Sequence, residues 1–169
     1  RDERIFSVAE KLGVELVDIR TLFRESDFVA INCLLNADTR GMVNAELLSL
    51  MKPTAFLINT ARGAIVDEDA LVAVLRERRI AGAALDVFSQ EPLPADHPLT
   101  QLDNVTFSPH NMSWSDNNYR DQGQAVCDNV AAVLRGEIPP YVVNRDVVQR
   151  PSFQAKLGAL RRHWQELAK

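Results

Sequence analysis

Short apolar runs alternate with helix-period patterns along most of this chain, and that alternation limits what it can fold into. Residues 14–17, 28–33, 55–58, 80–85 and 104–107 read as strands. Ahead of them, Ile5, Val8, Ala9 and Leu12 fall on one face of a helix that Gly13 stops. A short helix is read over 21–25. Asn44 caps another over 45–51, with Pro53 just beyond it. The helix after Asp67 is the best marked: Asp67, Glu68 and Asp69 open it, Arg76, Arg78 and Arg79 close it, and Ala70, Leu71, Val74 and Leu75 supply its apolar face. Three consecutive acids at a helix start read as dipole-matching residues rather than as metal ligands. Ser115 caps a long helix to about Leu134, closed by Gly136. A connector with Pro139 and Pro140 then leads to a separate amphipathic helix over 152–169. Strands this apolar, separated by helices, predict an α/β fold with a doubly wound parallel sheet covered on both faces. The small residues of 80–85 would let a helix pack closely against it.

Composition narrows the function. A net charge of -4 argues against nucleic acid, whose binders concentrate positive charge. No apolar run approaches the ~20 residues that span a bilayer, so no membrane role is expected. Cys33 and Cys127 are far apart, without CxxC spacing, and read as reduced core thiols of a cytoplasmic protein. Arg1 begins inside a helical pattern, so the chain is expected to be part of a longer protein.

Ligands of parallel sheets bind at the carboxyl ends of the strands, so the residues following each strand matter most. After Cys33 come Leu34, Leu35 and Asn36; after Ile58 come Asn59, Thr60, Ala61, Arg62 and Gly63. Asp86 follows Leu85, with Glu91 and Pro92 close behind, and Ser108, Pro109 and His110 follow Phe107. A guanidinium at a strand end can grip a carboxylate through two parallel hydrogen bonds, though Arg62 taken alone could equally pair with a surface acid. Imidazole can both give and take a proton near neutrality, although a lone loop histidine is more often inert, as His97 and His163 are read to be. A carboxylate bonded to His110 would fix its tautomer and favour its protonated form, but spacing alone does not pair Glu91 with it. Trp114 reads as a loop anchor or a pocket wall. The chain contains no HExxH, no GxSxG and no GxGxxG, and no metal is expected.

The stretch from Met51 through Asn59-Thr60-Ala61-Arg62-Gly63-Ala64-Ile65-Val66 to Asp67 resembles the signature of the D-isomer-specific 2-hydroxyacid dehydrogenases. Ser26-Asp27-Phe28-Val29 through Thr39-Arg40-Gly41-Met42-Val43-Asn44 is similar to the family's upstream signature. Ala84-Leu85-Asp86-Val87-Phe88 with Glu91-Pro92-Leu93, then Ser108-Pro109-His110, is similar to its downstream blocks. The likeness runs from about Val14 to Asn144. It implies a Rossmann-like sheet, NAD or NADP as cofactor, a small 2-hydroxy or 2-keto acid as substrate, and a homodimer. It implies that His110 protonates the substrate carbonyl, that Glu91 keeps His110 protonated, and that Arg62 binds the substrate carboxylate. Cys33, Thr60, Ala61 and Arg62 fall at positions along the cofactor, as do His110, Met112 and Ser113 on the nicotinamide side. Asp86 falls where the family contacts the nicotinamide carboxamide.

The likeness has departures. Leu34 stands where the family usually has proline, and Met112 and Ser113 where it usually has smaller residues. On this resemblance residues 1–144 are part of a dinucleotide-binding domain that lacks its glycine-rich loop at the N-terminal side, leaving the sheet incomplete there. Residues 145–169 are a tail helix returning toward a substrate domain outside this chain. The alternative is a non-catalytic NAD(H)-sensing interaction module related to transcriptional corepressors.

Overall fold

The computed structural model describes residues 3–167; Arg1 and residues 168–169 of the expected tail helix lie outside them. The chain divides into two units, residues 1–112 and 113–169.

In the first unit four strands run parallel in the order β1 (Phe28–Ile31), β2 (Phe56–Asn59), β3 (Gly82–Leu85) and β4 (Val105–Phe107). Helices α1 (Glu3–Leu12) and α2 (Ile19–Glu25) precede β1, α3 (Ala45–Leu50) joins β1 to β2, and α4 (Glu68–Arg76) joins β2 to β3. This is the parallel sheet that the alternation predicts and, as the resemblance implies, a Rossmann-like one. The caps have simple causes. Asn44 Oδ1 accepts the Leu47 N–H at 3.1 Å and Asp67 Oδ1 the Ala70 N–H at 3.1 Å, each satisfying an amide the first helical turn leaves free. Asp18 does the same for α2, accepting from the Arg20 and Thr21 amides, which is why that helix starts two residues earlier than its apolar pattern suggests.

The core lies on one face of the sheet. Val29, Ile31, Leu57, Ala83 and Leu85 form a single buried cluster with Phe23 of α2, Leu47 and Leu48 of α3, and Leu71, Val74 and Leu75 of α4. Each such side chain contributes roughly 1.5–3 kcal/mol of burial free energy. The opposite face is not covered as expected: Phe28 and Phe56 are exposed and stack on one another at 5.7 Å. Outward positions of β1 also carry apolar residues, which made a half-buried strand read as a fully buried one. Residues 14–17 form no strand. Val14, Leu16 and Val17 are exposed, and no ladder partner lies beside them among the described residues. Gly13, at φ +65°, does close α1, with the Val14 N–H on the Ala9 carbonyl at 2.8 Å, but Ile5, Val8 and Leu12 are exposed and only Ala9 is buried. Gly82 of β3 also lets its neighbouring strand approach: a Cβ there would stand 2.6 Å from the Asn104 carbonyl oxygen. Both cysteines are free; Cys33 is half-buried against the core cluster, whereas Cys127 is exposed rather than a core residue.

The second unit holds α5 (Asp116–Leu134), capped by the Ser115 hydroxyl on the Asn118 N–H at 3.2 Å, and α6 (Pro151–Leu167). Gly136, at φ +68°, packs directly on α6: a Cβ there would lie 2.4 Å from the Leu157 carbonyl oxygen, and Arg161 donates to the Gly136 carbonyl at 2.8 Å. Trp114 is exposed and its ring lies 6.0 Å from that of Tyr119, near the start of α5.

Candidate active site

Sheet register builds the site. Ile31 pairs with Asn59, Asn59 with Leu85, and Leu85 with Phe107. The next residue of each strand therefore stands in one row at the carboxyl edge: Asn32, Thr60, Asp86 and Ser108. The Asp86 N–H on the Asn59 carbonyl and the Ser108 N–H on the Leu85 carbonyl, both 3.0 Å, extend the ladder into that row.

Glu91 and His110, 19 residues apart, meet here. His110 Nδ1 is 2.7 Å from Glu91 Oε2, and Glu91 Oε1 accepts the Phe88 N–H at 2.9 Å. With Nδ1 engaged by the carboxylate, Nε2 is the nitrogen left for substrate. The hydrogen bond to His110 holds the Glu91 carboxyl below its ordinary value, helped by the Phe88 amide and by the charges of His110 and Arg62. A lowered folded value means that the pair stabilises the protein above the ordinary glutamate range, near 4.5, and that this contribution is lost as pH falls through the folded value. We therefore expect the urea midpoint of the wild type to exceed that of Glu91→Gln by a margin that shrinks on acidification below that range. A pH-independent margin would contradict the ionised pair.

His110 sits at φ +54°, in the left-handed region where a non-glycine residue costs on the order of 1 kcal/mol or more. Asp86 is what holds it there. This carboxylate, 5% exposed, accepts the Asn111 N–H at 2.9 Å and the Met112 N–H at 3.3 Å, the two amides that follow His110. Ser108 Oγ donates to Asn111 Oδ1 at 2.6 Å and is also in contact with Asp86. Burial alone would push the Asp86 carboxyl up, but contact with the Ser108 hydroxyl, the hydrogen bonds from the Asn111 and Met112 amides and the charge of His110 outweigh it, and it lies below its ordinary value. Asp86 is thus a buried anchor for the histidine turn, a role its strand-end position did not reveal.

Arg62 is placed by an Asx turn. Asn59, fully buried, accepts the Ala61 N–H at 3.1 Å and donates to the Arg62 carbonyl at 3.0 Å. The Arg62 guanidinium is exposed and donates to the Ala61 carbonyl at 2.6 Å; among the described residues it makes no ion pair with a surface acid. Gly63 then ties this turn to that of Glu91: a Cβ on Gly63 would lie 1.9 Å from the Phe88 carbonyl carbon. Neither Asn59 nor Gly63 was singled out from the sequence, although an Asn closing a strand before Ala-Arg-Gly is a turn signal.

Two clefts open beside these groups. Cys33, Thr60, Ala61 and Arg62 line one of about 480 Å³ together with Asn32, Leu34 and Leu35, so four of the expected cofactor positions come together. Glu91 and His110 line another of about 570 Å³ with apolar walls that include Phe88, Leu93 and Phe107. Ser113 lies in the second unit, where its carbonyl accepts from Asn118 Nδ2 at 2.6 Å. Among the described residues no cluster of His, Cys, Asp or Glu could hold a metal ion, and no helix is long and apolar enough to cross a membrane.

The family model of the D-isomer specific 2-hydroxyacid dehydrogenase NAD binding domain matches residues 2–111, and the chain belongs to that family. It is 48% identical over 146 residues to a glyoxylate reductase of Thermofilum pendens, covering 86% of this chain and 43% of the relative. Among solved structures it resembles the TT0316 protein of Thermus thermophilus, with TM-score 0.74 and 39% identity over 77% of this chain and 42% of that one. It also resembles an acyclic imino acid reductase in complex with NADPH and D-Arg, with TM-score 0.68 and 35% identity over 78% and 42% of the two chains. The chain thus spans less than half the length of each of these three relatives.

Proposed function

We propose that this chain carries the acid–base centre of an NAD(P)-dependent oxidoreductase that interconverts a 2-hydroxy acid and a 2-keto acid. The observation that carries this is the Glu91–His110 pair at the carboxyl edge of the sheet, tied by Gly63 to the turn that bears Arg62. The reduced nicotinamide, when bound, supplies the hydride that reaches the keto carbon. His110 donates the proton at Nε2 to the carbonyl oxygen as it becomes a hydroxyl, and takes it back in the reverse direction. Glu91 holds the Nδ1–H and so keeps Nε2 pointed at the substrate. Arg62 binds the substrate carboxylate with its planar fork, which orients the adjacent carbonyl and favours charge developing on its oxygen. Cys33, Thr60, Ala61 and Arg62 would hold the nicotinamide half of the cofactor in their cleft. Asp86 and Ser113 complete the proposed cofactor set, Asp86 through the turn it anchors. The relatives' names favour a small keto acid such as glyoxylate. A cytoplasmic homodimer is proposed on the family likeness alone.

Mixing the full protein with NADH or NADPH and a panel of 2-keto acids, from glyoxylate and pyruvate to bulkier ones, tests this. Consumption of reduced cofactor with at least one of them is expected. Cofactor binding without turnover on any would replace the enzyme with the NAD(H)-sensing interaction module.

A further inference from the structure

Glu68 opens α4, yet the helix does not use its side chain. Asp67 already caps the helix through the Ala70 amide. The Glu68 carboxylate instead reaches 21 residues along the chain, where Oε1 accepts the Ser89 N–H at 2.6 Å. Its Oε2 lies 3.8 Å from His97 Nε2, and its side chain is only 15% exposed. His97 is itself fixed, with Nδ1 accepting the Leu99 N–H at 3.3 Å.

Ser89 belongs to the turn that bears Glu91. Among the described residues, Phe88, Ser89, Gln90 and Glu91 make no backbone–backbone hydrogen bond. Two carboxylates hold the turn instead: Glu91 takes the Phe88 amide and Glu68 takes the Ser89 amide. Gly63 presses on the same Phe88–Ser89 peptide. A carboxylate on an amide is a short, charge-assisted bond, and among the described residues this is the one hydrogen bond that ties the turn's backbone to α4.

We propose that Glu68 is a positioning residue for the Glu91–His110 pair: by holding the Ser89 amide it sets where the Glu91 carboxylate stands, and through it how His110 is presented. This rests on Glu91 and His110 being the acid–base pair. A group displaced by a fraction of an ångström loses rate without losing ligand affinity, which gives the proposal its signature.

Two conservative variants of the full protein separate this from a helix-dipole role. Glu68→Asp keeps the charge at the helix start but withdraws the carboxylate by one methylene. Glu68→Gln keeps an acceptor oxygen within reach of Ser89 but removes the charge. We expect Glu68→Asp to lower kcat about tenfold with KM for the reduced cofactor unchanged, and to speed hydrogen exchange of the Ser89 amide. Glu68→Gln should recover most of the rate and the protection. A dipole role predicts the reverse order. Wild-type kcat and Ser89 protection in Glu68→Asp, or a Glu68→Gln as impaired as Glu68→Asp, would overturn the proposal. If the wild type turned over no keto acid, the proposed function would fail, and the exchange data alone would still decide whether Glu68 holds the turn.

Discussion

Gly63→Ala is expected to destabilise the protein by about 3 kcal/mol or more, because the new methyl has nowhere to go. Its Cβ would stand 1.9 Å from the Phe88 carbonyl carbon and 2.3 Å from both the Phe88 oxygen and the Ser89 nitrogen. All three are backbone atoms, so no side chain can swing aside; the turn of Arg62 and the turn of Glu91 must separate. The effect should fall on activity as well as on stability, since those two turns carry Arg62, the proposed carboxylate-binding residue, and the partner of His110. Gly123→Ala is the matched control. Gly123 lies inside α5 and, beyond its own helix backbone, has no atom within 4 Å of its would-be Cβ, so alanine there should be neutral or stabilise by up to about 1 kcal/mol through helix propensity. Urea midpoints of the two variants check this. Equal midpoints would mean that the Gly63 contact is not the tie described above.

The legibility of this clash in the sequence is instructive. Gly63 is one of seven glycines, and nothing local marks it: its neighbour Phe88 lies 25 residues on, in a different turn. The same distance hid the role of Glu68. Three consecutive acids at the start of α4 invite a single dipole explanation, yet Asp67 caps the helix and Glu68 serves another turn. What was legible was local or periodic. Asn44 and Ser115 were readable as caps because each contacts an amide three residues away in its own helix. β2, β3 and β4 were readable because their apolar runs end in polar residues at one edge. Residues 14–17 show the limit. Their apolar pattern is that of a strand, but a strand exists only through its ladder partner, and pattern carries no information about partners.

The site divides in the same way. Residue types alone made Arg62, Glu91 and His110 plausible, and the ordered motifs joined them; the 2.7 Å contact between Glu91 and His110 was beyond what spacing could give. The resemblance places Asp86 where the family contacts the nicotinamide carboxamide. Its carboxylate accepts the amides of Asn111 and Met112, the two that follow His110 at positive φ. Sequence position told that Asp86 stood near the chemistry, and burial told what it was attached to.

His110→Ala should remove the proton donor and leave the rest of the site standing. His110 is an exposed side chain on the turn, and the amides beyond it are held by Asp86 whether or not the imidazole is present. The Cys33–Arg62 cleft does not include His110, so affinity for the reduced cofactor should stay within about twofold of wild type. The chemical step should fall by about 10²–10⁴-fold, the usual contribution of a positioned general acid. The most direct measurement is a single turnover: full protein saturated with the reduced cofactor, mixed rapidly with excess of its best keto acid, with cofactor oxidation followed in wild type and His110→Ala. The account predicts a rate lowered by at least about 10²-fold at unchanged cofactor affinity. A His110→Ala protein that oxidised its bound cofactor at the wild-type rate would contradict it.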